Sequence, residues 1–407
     1  MRILVLALRG VHLGYLGCYG NSWIRTPHLD TLASEGVVFD HHYSDCPSPA
    51  GAWNAWRTGR YDFPVPQSKT ASGLQDSPDL LSILRGSEIP AILISESDTA
   101  SEGGAEKWHD RISFTADEAK SNFSRVMVKK VLQADRNLKS HNDALVWVET
   151  NFLAPPWLVE ESSDDYFSDA GDGDSFARPT EPLENPTIGW VDRSDDLMFA
   201  RLQRTYATVV SQLDDGLGQL LEELRRRERG SPMMLIVTAD RGFPLGEHGL
   251  VGDFRPWLHD ELVHIPLLIR MPSGTAAGSR IRALTQPADL MPTLLEAFGL
   301  DIPEIHGSSL LPLIRGEQER IREFACSGLR IGNALEWSLR TPDWAFLSPI
   351  FPEENDPSRD PQLYVKPDDR WEVNNVLQHH PDLIENLEKT LSAFIQSPTR
   401  EAAWRPI

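Results

Sequence analysis

Five short apolar runs, at residues 3–8, 91–94, 144–148, 234–238 and 265–269, are separated by long stretches in which apolar residues recur at every third or fourth position. Runs this short and this continuously apolar predict strands buried on both faces, as in a parallel sheet covered by helices. The clearest helical stretch, 195–227, sets Tyr206, Val209, Val210, Leu213, Leu217, Leu220, Leu221 and Leu224 along one stripe. Strands alternating with helices of this length predict an α/β fold with a doubly wound, mainly parallel sheet sandwiched by helices. After Gly316 the texture shifts to shorter strand patterns, at 344–347 and 363–365. An amphipathic helix follows at 381–395, with Leu383, Ile384, Leu387, Leu391 and Phe394 on one face. The expected division is therefore an α/β domain over 1–322 and a small C-terminal α+β domain over 323–407. Within the first, residues 158–192 read as an acidic surface insertion. Its Asp164, Asp165, Asp169, Asp172 and Asp174 lie among Gly, Ser and Pro, without the ordered spacing of a calcium loop.

Charge narrows the partners. Sixty carboxylates against 39 Lys and Arg give a formal net charge of -21, which disfavours nucleic acid and anionic membrane surfaces. Three widely spaced cysteines, Cys18, Cys46 and Cys326, make neither a disulfide framework nor a metal cluster and fit a reducing compartment. The first residues carry one arginine and six apolar residues before the next charge, too short a core for a signal peptide. No run approaches the roughly 18 residues of a membrane span. The expectation is a cytoplasmic protein.

Several segments carry a resemblance to a known family. Near the start stands LGCYGNSWIRTPHLDTLASEGVVFDHHY, and Thr58-Gly59-Arg60-Tyr61 follows. RTYATVVSQLDDGLGQLLEEL leads into LIVTADRGFPLGEHGL and HIPLLIRMP. QPADLMPTLLEAFGLDIPEIHGSSLLPLIRGE and QLYVKPDDRWEVNNVLQHHPDLIENL close the series. In this order they resemble the sulfatase family of the alkaline-phosphatase superfamily over essentially the whole chain. The resemblance implies a Cys or Ser in C/S-x-P-x-R that is oxidised to formylglycine and attacks sulfur. It also implies a calcium ion held by carboxylate and amide oxygens, with Lys, His and Arg stabilising developing charge.

This chain departs from that pattern where the chemistry resides. Residues 46–61 read CPSPAGAWNAWRTGRY. Counting nine back from Thr58, the nucleophile position is Pro49, the motif's proline is Gly51 and its arginine is Trp53. Proline has no side-chain oxygen or thiol. A shifted Cys46 lacks the proline and arginine that oxidation requires, since Ser48 and Ala50 stand there, and it reads as a packed thiol. The family's paired first-strand aspartates fall at Arg9 and Gly10. Asp240 keeps its carboxylate, while the amide or imidazole position after it is Arg241. The basic residue after the GEHGL stretch becomes Asp253, and the mid-chain Pro-His becomes Leu153-Ala154. His248 alone keeps a catalytic type.

These changes predict a sulfatase-fold pseudoenzyme with no bound calcium, Asp240 being the only surviving ligand-type residue. Arg9 and Arg241 then stand where the cation's charge belonged. With Asp240, His248 and Trp53 they form a candidate pocket for a sulfated or other anionic small molecule or carbohydrate. Two alternatives stay open. One is a hydrolase of sulfuric or phosphoric esters with altered chemistry, using His248 and Asp240 as base and orienter and Ser48 as nucleophile. The other is a structural or regulatory subunit, as a homo-oligomer or beside an active homologue. Asp240 pairing with an arginine, His248 holding a loop and the tryptophans packing in the core are the structural readings of the same residues.

Overall fold

The computed structural model describes residues 1–63, 79–96, 107–159, 181–227, 233–253, 255–272, 274–351 and 360–396. In chain order the strands are β1 (Arg2–Leu8), β2 (Val37–His42), β3 (Ala91–Glu96), β4 (Asp110–Phe114), β5 (Ala144–Thr150), β6 (Gly189–Trp190), β7 (Met233–Ala239), β8 (Leu250–Val251), β9 (Leu267–Arg270), β10 (Ser279–Thr285), β11 (Ala325–Ile331), β12 (Ala334–Arg340), β13 (Trp344–Phe351) and β14 (Gln362–Val365). The helices are α1 (Pro27–Glu35), α2 (Pro49–Thr58), α3 (Leu80–Gly86), α4 (Ala116–Ser121), α5 (Phe123–Asn137), α6 (Asp196–Arg227), α7 (Asp260–Val263), α8 (Leu290–Ala297), α9 (Leu311–Ile314) and α10 (Pro381–Gln396).

Eight strands form the main sheet in the order β10-β2-β9-β7-β1-β5-β3-β4. Strand β1 sits centrally and pairs in parallel with β5 and β7. Its alternate residues feed two cores. Leu4, Leu6 and Leu8 join the layer covered by α1, α5 and α6, with Tyr206, Val210, Leu213 and Leu217 of α6 packed there. Ile3, Val5 and Ala7 join the opposite layer, with Trp53 and Trp56 of α2 and Leu294 of α8. A strand buried on both faces has no polar side to display, which is why these runs read as unbroken apolar segments.

One expected strand runs the other way. The run at 265–269 was expected to be parallel, yet β9 is antiparallel to both β7 and β2. Among the described residues between β7 and β9 there are only the two-residue β8 and the four-residue α7, with no crossover helix to carry the chain back along the sheet, so β9 runs back beside β7. Apolar content records burial and is silent on direction.

Strands β11 to β14 form a separate antiparallel sheet. The Leu383, Leu387, Leu391 and Phe394 stripe of α10 packs on Cys326, Leu339, Phe346 and Leu363 of that sheet. Of the acidic insertion, residues 160–180 lie outside the described residues; Gly189 and Trp190 pair with β8 as a short ribbon. Among the described residues, no helix is long and apolar enough to cross a membrane.

Candidate functional site

Open α/β sheets gather their functional side chains beyond the carboxyl ends of the strands, and β1, β5 and β7 end together here. Arg9 follows β1, and its Nη2 donates to Oε2 of Glu149 at the end of β5, 2.9 Å away. Asp240 follows β7 and is 1% exposed. Its Oδ1 accepts from the backbone N–H groups of Gly10 (3.1 Å) and Arg241 (2.7 Å). Its Oδ2 accepts from Arg241 Nη1 at 2.7 Å. Arg241 Nε lies 2.9 Å from Asp253 Oδ2. Gly10 has φ +69°, a left-handed conformation that lets its N–H turn toward the Asp240 carboxylate. Burial pushes the Glu149 carboxyl up and the Arg9 guanidinium pulls it back, with a net upward shift. Burial opposes the Arg241 charge, but Asp240 and Asp253 outweigh it and hold the guanidinium protonated.

This donor set does not fit a divalent ion. Calcium takes about six to eight oxygens. Here both oxygens of Asp240 are engaged by N–H groups, and two guanidinium groups stand where oxygen ligands are needed. The unforeseen member is Glu149, which gives Arg9 an internal counter-ion. Neither calcium nor EDTA is therefore expected to shift the thermal midpoint. A stabilisation that saturates with calcium, in the way a ligand binding only the folded state must act, would contradict that.

The nucleophile position explains itself as helix architecture. Ser48 is the N-cap of α2, and its hydroxyl accepts from the Gly51 N–H at 3.1 Å. Pro49 is the first helical residue, where its fixed φ and missing N–H cost nothing. The Ser48 hydroxyl that the altered-hydrolase reading wanted as nucleophile is thus the cap. A Cβ on Gly51 would meet Cys46 Sγ at 2.6 Å, so the small residue at 51 serves thiol packing. Burial pushes the Cys46 thiol up to about 12, far from a reactive thiolate.

Trp53 is not a pocket residue. Its ring stacks on Trp108 at 5.8 Å and meets Trp147 edge-on at 5.8 Å, inside the α2 core layer. The helical register of α2 turns it to the sheet, whereas Ser48 and Pro49 mark the helix's open end.

His248 also has partners the sequence did not suggest. Its Nδ1 bonds Glu261 Oε1 at 2.6 Å, and its Nε2 donates to the Glu372 carbonyl at 3.1 Å. It forms no bond to Asp240. Burial lowers its affinity for a proton, but the hydrogen bond and charge of Glu261 prevail and raise the pKa to about 9. The ring is an imidazolium tie, unsuited to act as a general base near neutrality. It stacks on His259 at 3.8 Å with an 18° tilt, and His259 Nδ1 bonds Glu372 Oε2 at 2.7 Å. His248, His259 and Glu261 bring three potential ligand atoms within 4.8 Å of one another. Nearly parallel rings direct their lone pairs side by side rather than toward a common point, so the trio reads as a hydrogen-bonded stack. The sequence signal for it was the dense run His259-Asp260-Glu261, just before the β9 strand.

Around that stack the two domains are clasped. Glu372, in the C-terminal domain with φ +53° and a fully buried carboxylate, lies 3.1 Å from Arg340 Nη2 and 3.0 Å from Lys366 Nζ. Asp260 of α7 lies 3.1 Å from Arg340 Nε and 2.9 Å from Lys366 Nζ.

Comparison with known proteins agrees with the architecture. The chain is 32% identical over 120 residues to an N-acetylglucosamine-6-O-sulfatase of Bacteroides thetaiotaomicron, covering 29% of this chain and 21% of that protein. It is 26% identical over 242 residues to arylsulfatase K of Bos taurus, covering 56% of this chain and 43% of the relative. The matches thus span less than half of those relatives' length. The phosphonate monoester hydrolase of Silicibacter pomeroyi superposes with a TM-score of 0.76 at 17% identity, covering 98% of this chain and 96% of that one. A protein solved in complex with its substrate D-glucosamine-2-N,6-O-disulfate gives 0.71 at 18% identity, covering 98% and 99%. At these identities the superpositions speak for the fold alone. The Sulfatase family model itself matches residues 7–300, from the end of β1 through α8, and so takes in Arg9, Pro49, Glu149, Asp240, Arg241 and His248. With most of its length inside that match, the chain belongs to the sulfatase family.

Proposed function

We propose that this protein is a sulfatase-family member that does not hydrolyse sulfate esters and instead retains a sulfated or otherwise anionic ligand, a sulfated carbohydrate being the best candidate. The observation that carries the reading is a paired replacement, at the first residue of α2 and at the strand ends. Proline stands at the nucleophile position, and guanidinium groups stand at positions where the family places metal ligands. Supporting the ligand class, Arg9 keeps Nη1 and Arg241 keeps Nη2 without a partner among the described residues. Guanidinium edges of this kind recognise oxyanions through paired hydrogen bonds. The altered-hydrolase reading has no comparable support, because Ser48 caps a helix and His248 is committed to Glu261 and Glu372.

The test combines turnover with binding. Aryl sulfates and glucosamine 6-sulfate are expected to release no inorganic sulfate above buffer, with or without calcium. Glucosamine 6-sulfate at millimolar concentration is expected to raise the thermal midpoint saturably, and Arg9→Gln is expected to weaken that effect severalfold. Steady sulfate release overturns the first half of the reading; an unmoved midpoint overturns the second.

A further inference from the structure

Arg9 and Asp240 stand just beyond the carboxyl ends of β1 and β7. At the amino ends of the same strands, where Arg2 is aligned with Ala144 of β5 and with Met233 of β7, lies a cavity of about 230 Å³. The seven residues of β1, at about 3.3 Å each, set the two places roughly 20 Å apart. Leu4, Val146 and Met233 form the sheet side of the cavity. Val131 and Leu138 close it from the α5 side and Leu224 from α6.

Val146 marks how deep the gap reaches. It belongs to β5, an inner strand, and it points to the face that α5 and α6 cover. It nevertheless stays partly exposed, whereas Leu145 and Trp147 beside it are buried. Protein interiors are packed so closely that voids larger than a water molecule are few. An engineered cavity of about 150 Å³ with aliphatic and aromatic walls, in another protein, stays dry and binds benzene. The cavity here is larger than that.

The wall also says what is not wanted. Among its described residues only Arg2 and Asp135 are charged, and they are paired with each other. Arg2 Nη2 further donates to the carbonyls of Leu138 at 3.2 Å and of His141 at 3.4 Å. A charged ligand would have to win these groups from partners they already hold, and a buried charge left without one is costly. Met233 adds a preference among apolar ligands. Its unbranched thioether adapts to the shape of an occupant, and sulfur makes favourable contacts with aromatic rings.

We propose that this cavity binds one small uncharged aromatic molecule, about a single ring in size, held by apolar contact with Leu4, Val146 and Met233. The site goes beyond the function proposed above, since it shares no residue with the strand-end centre and takes no anion.

Benzene, with benzoate as its charged counterpart, tests the proposal on the full chain. Benzene is expected to raise the thermal midpoint saturably, and benzoate to act about tenfold more weakly. In carbon-13 spectra of the methionine methyl groups, the Met233 signal, assigned through Met233→Leu, is expected to shift in step with the benzene effect. Ala144→Leu places an isobutyl group in the cavity and is expected to reduce that effect severalfold. Leu132→Phe fills the same space from α5 and gives the reading should the first variant fail to fold. An unmoved midpoint or an unmoved Met233 signal overturns the proposal. Equal action of benzene and benzoate, or a benzene effect undiminished in the filled variant, overturns it as well. None of these outcomes bears on sulfate release, so this site and the strand-end centre stand or fall separately.

Discussion

Glu372→Gln is expected to destabilise the protein by about 3–5 kcal/mol, the usual cost of removing one partner from a buried ion pair. The carboxylate receives Arg340, Lys366 and His259 together, and its own backbone carbonyl receives His248. Glutamine keeps the shape and the strained φ of +53° but brings N–H groups to face two buried cations. Urea unfolding followed by tryptophan fluorescence reads the effect. Glu385→Gln, at an exposed helical pair, serves as a control that should move the midpoint little. Equal shifts in the two variants would falsify the clasp as a major contributor to stability.

The same clasp sets the pH limits. Burial and the neighbouring Asp260 push the Glu372 carboxyl up, but Arg340, Lys366 and the bond from His259 prevail and hold it near 2. A depressed carboxylate contributes stability that is complete above its unfolded value, about 4.3, and is lost as pH falls toward 2. For His248, raised to about 9, the sign reverses. Its contribution is complete below about 6.5 and fades as pH rises through 9. The thermal midpoint should therefore be highest between these limits. Glu372→Gln should flatten the acid side, and Glu261→Gln the alkaline side.

The second large effect concerns Trp53. Trp53→Ala is expected to cost about 3–5 kcal/mol, as for other buried aromatic truncations, because it opens a void against Trp108 and Trp147. Trp53→Phe should recover most of the loss. A ligand-stacking tryptophan would behave in the opposite way, with normal stability and impaired binding. Thermal unfolding alone separates the two roles, and an unchanged midpoint in Trp53→Ala would return the residue to the pocket.

Much of the architecture could be read in advance. The strand at β1 and the helix α6 fall within one residue of their expected bounds at the ends the sequence marked most clearly, since dense apolar periodicity leaves the backbone few ways to bury it. The direction of β9 could not be read, because a short, fully buried strand packs equally well in either sense. The side-chain roles divide along the same line. That Pro49 cannot attack follows from residue type, whereas the burial of Trp53 depends on which face α2 turns to the sheet.

What the sequence by itself determined is the fold class, the most strongly periodic elements and the residue types at the site, since a pyrrolidine ring and two guanidinium groups keep their nature in any fold. Tertiary structure alone decided which charges meet. Arg9 finds Glu149 from 140 residues away, and His248 finds the Glu372 carbonyl from 124. Such pairs are fixed by strand order and domain docking. An ion pair works over a few ångströms, and no local pattern records which distant residue will arrive within that reach.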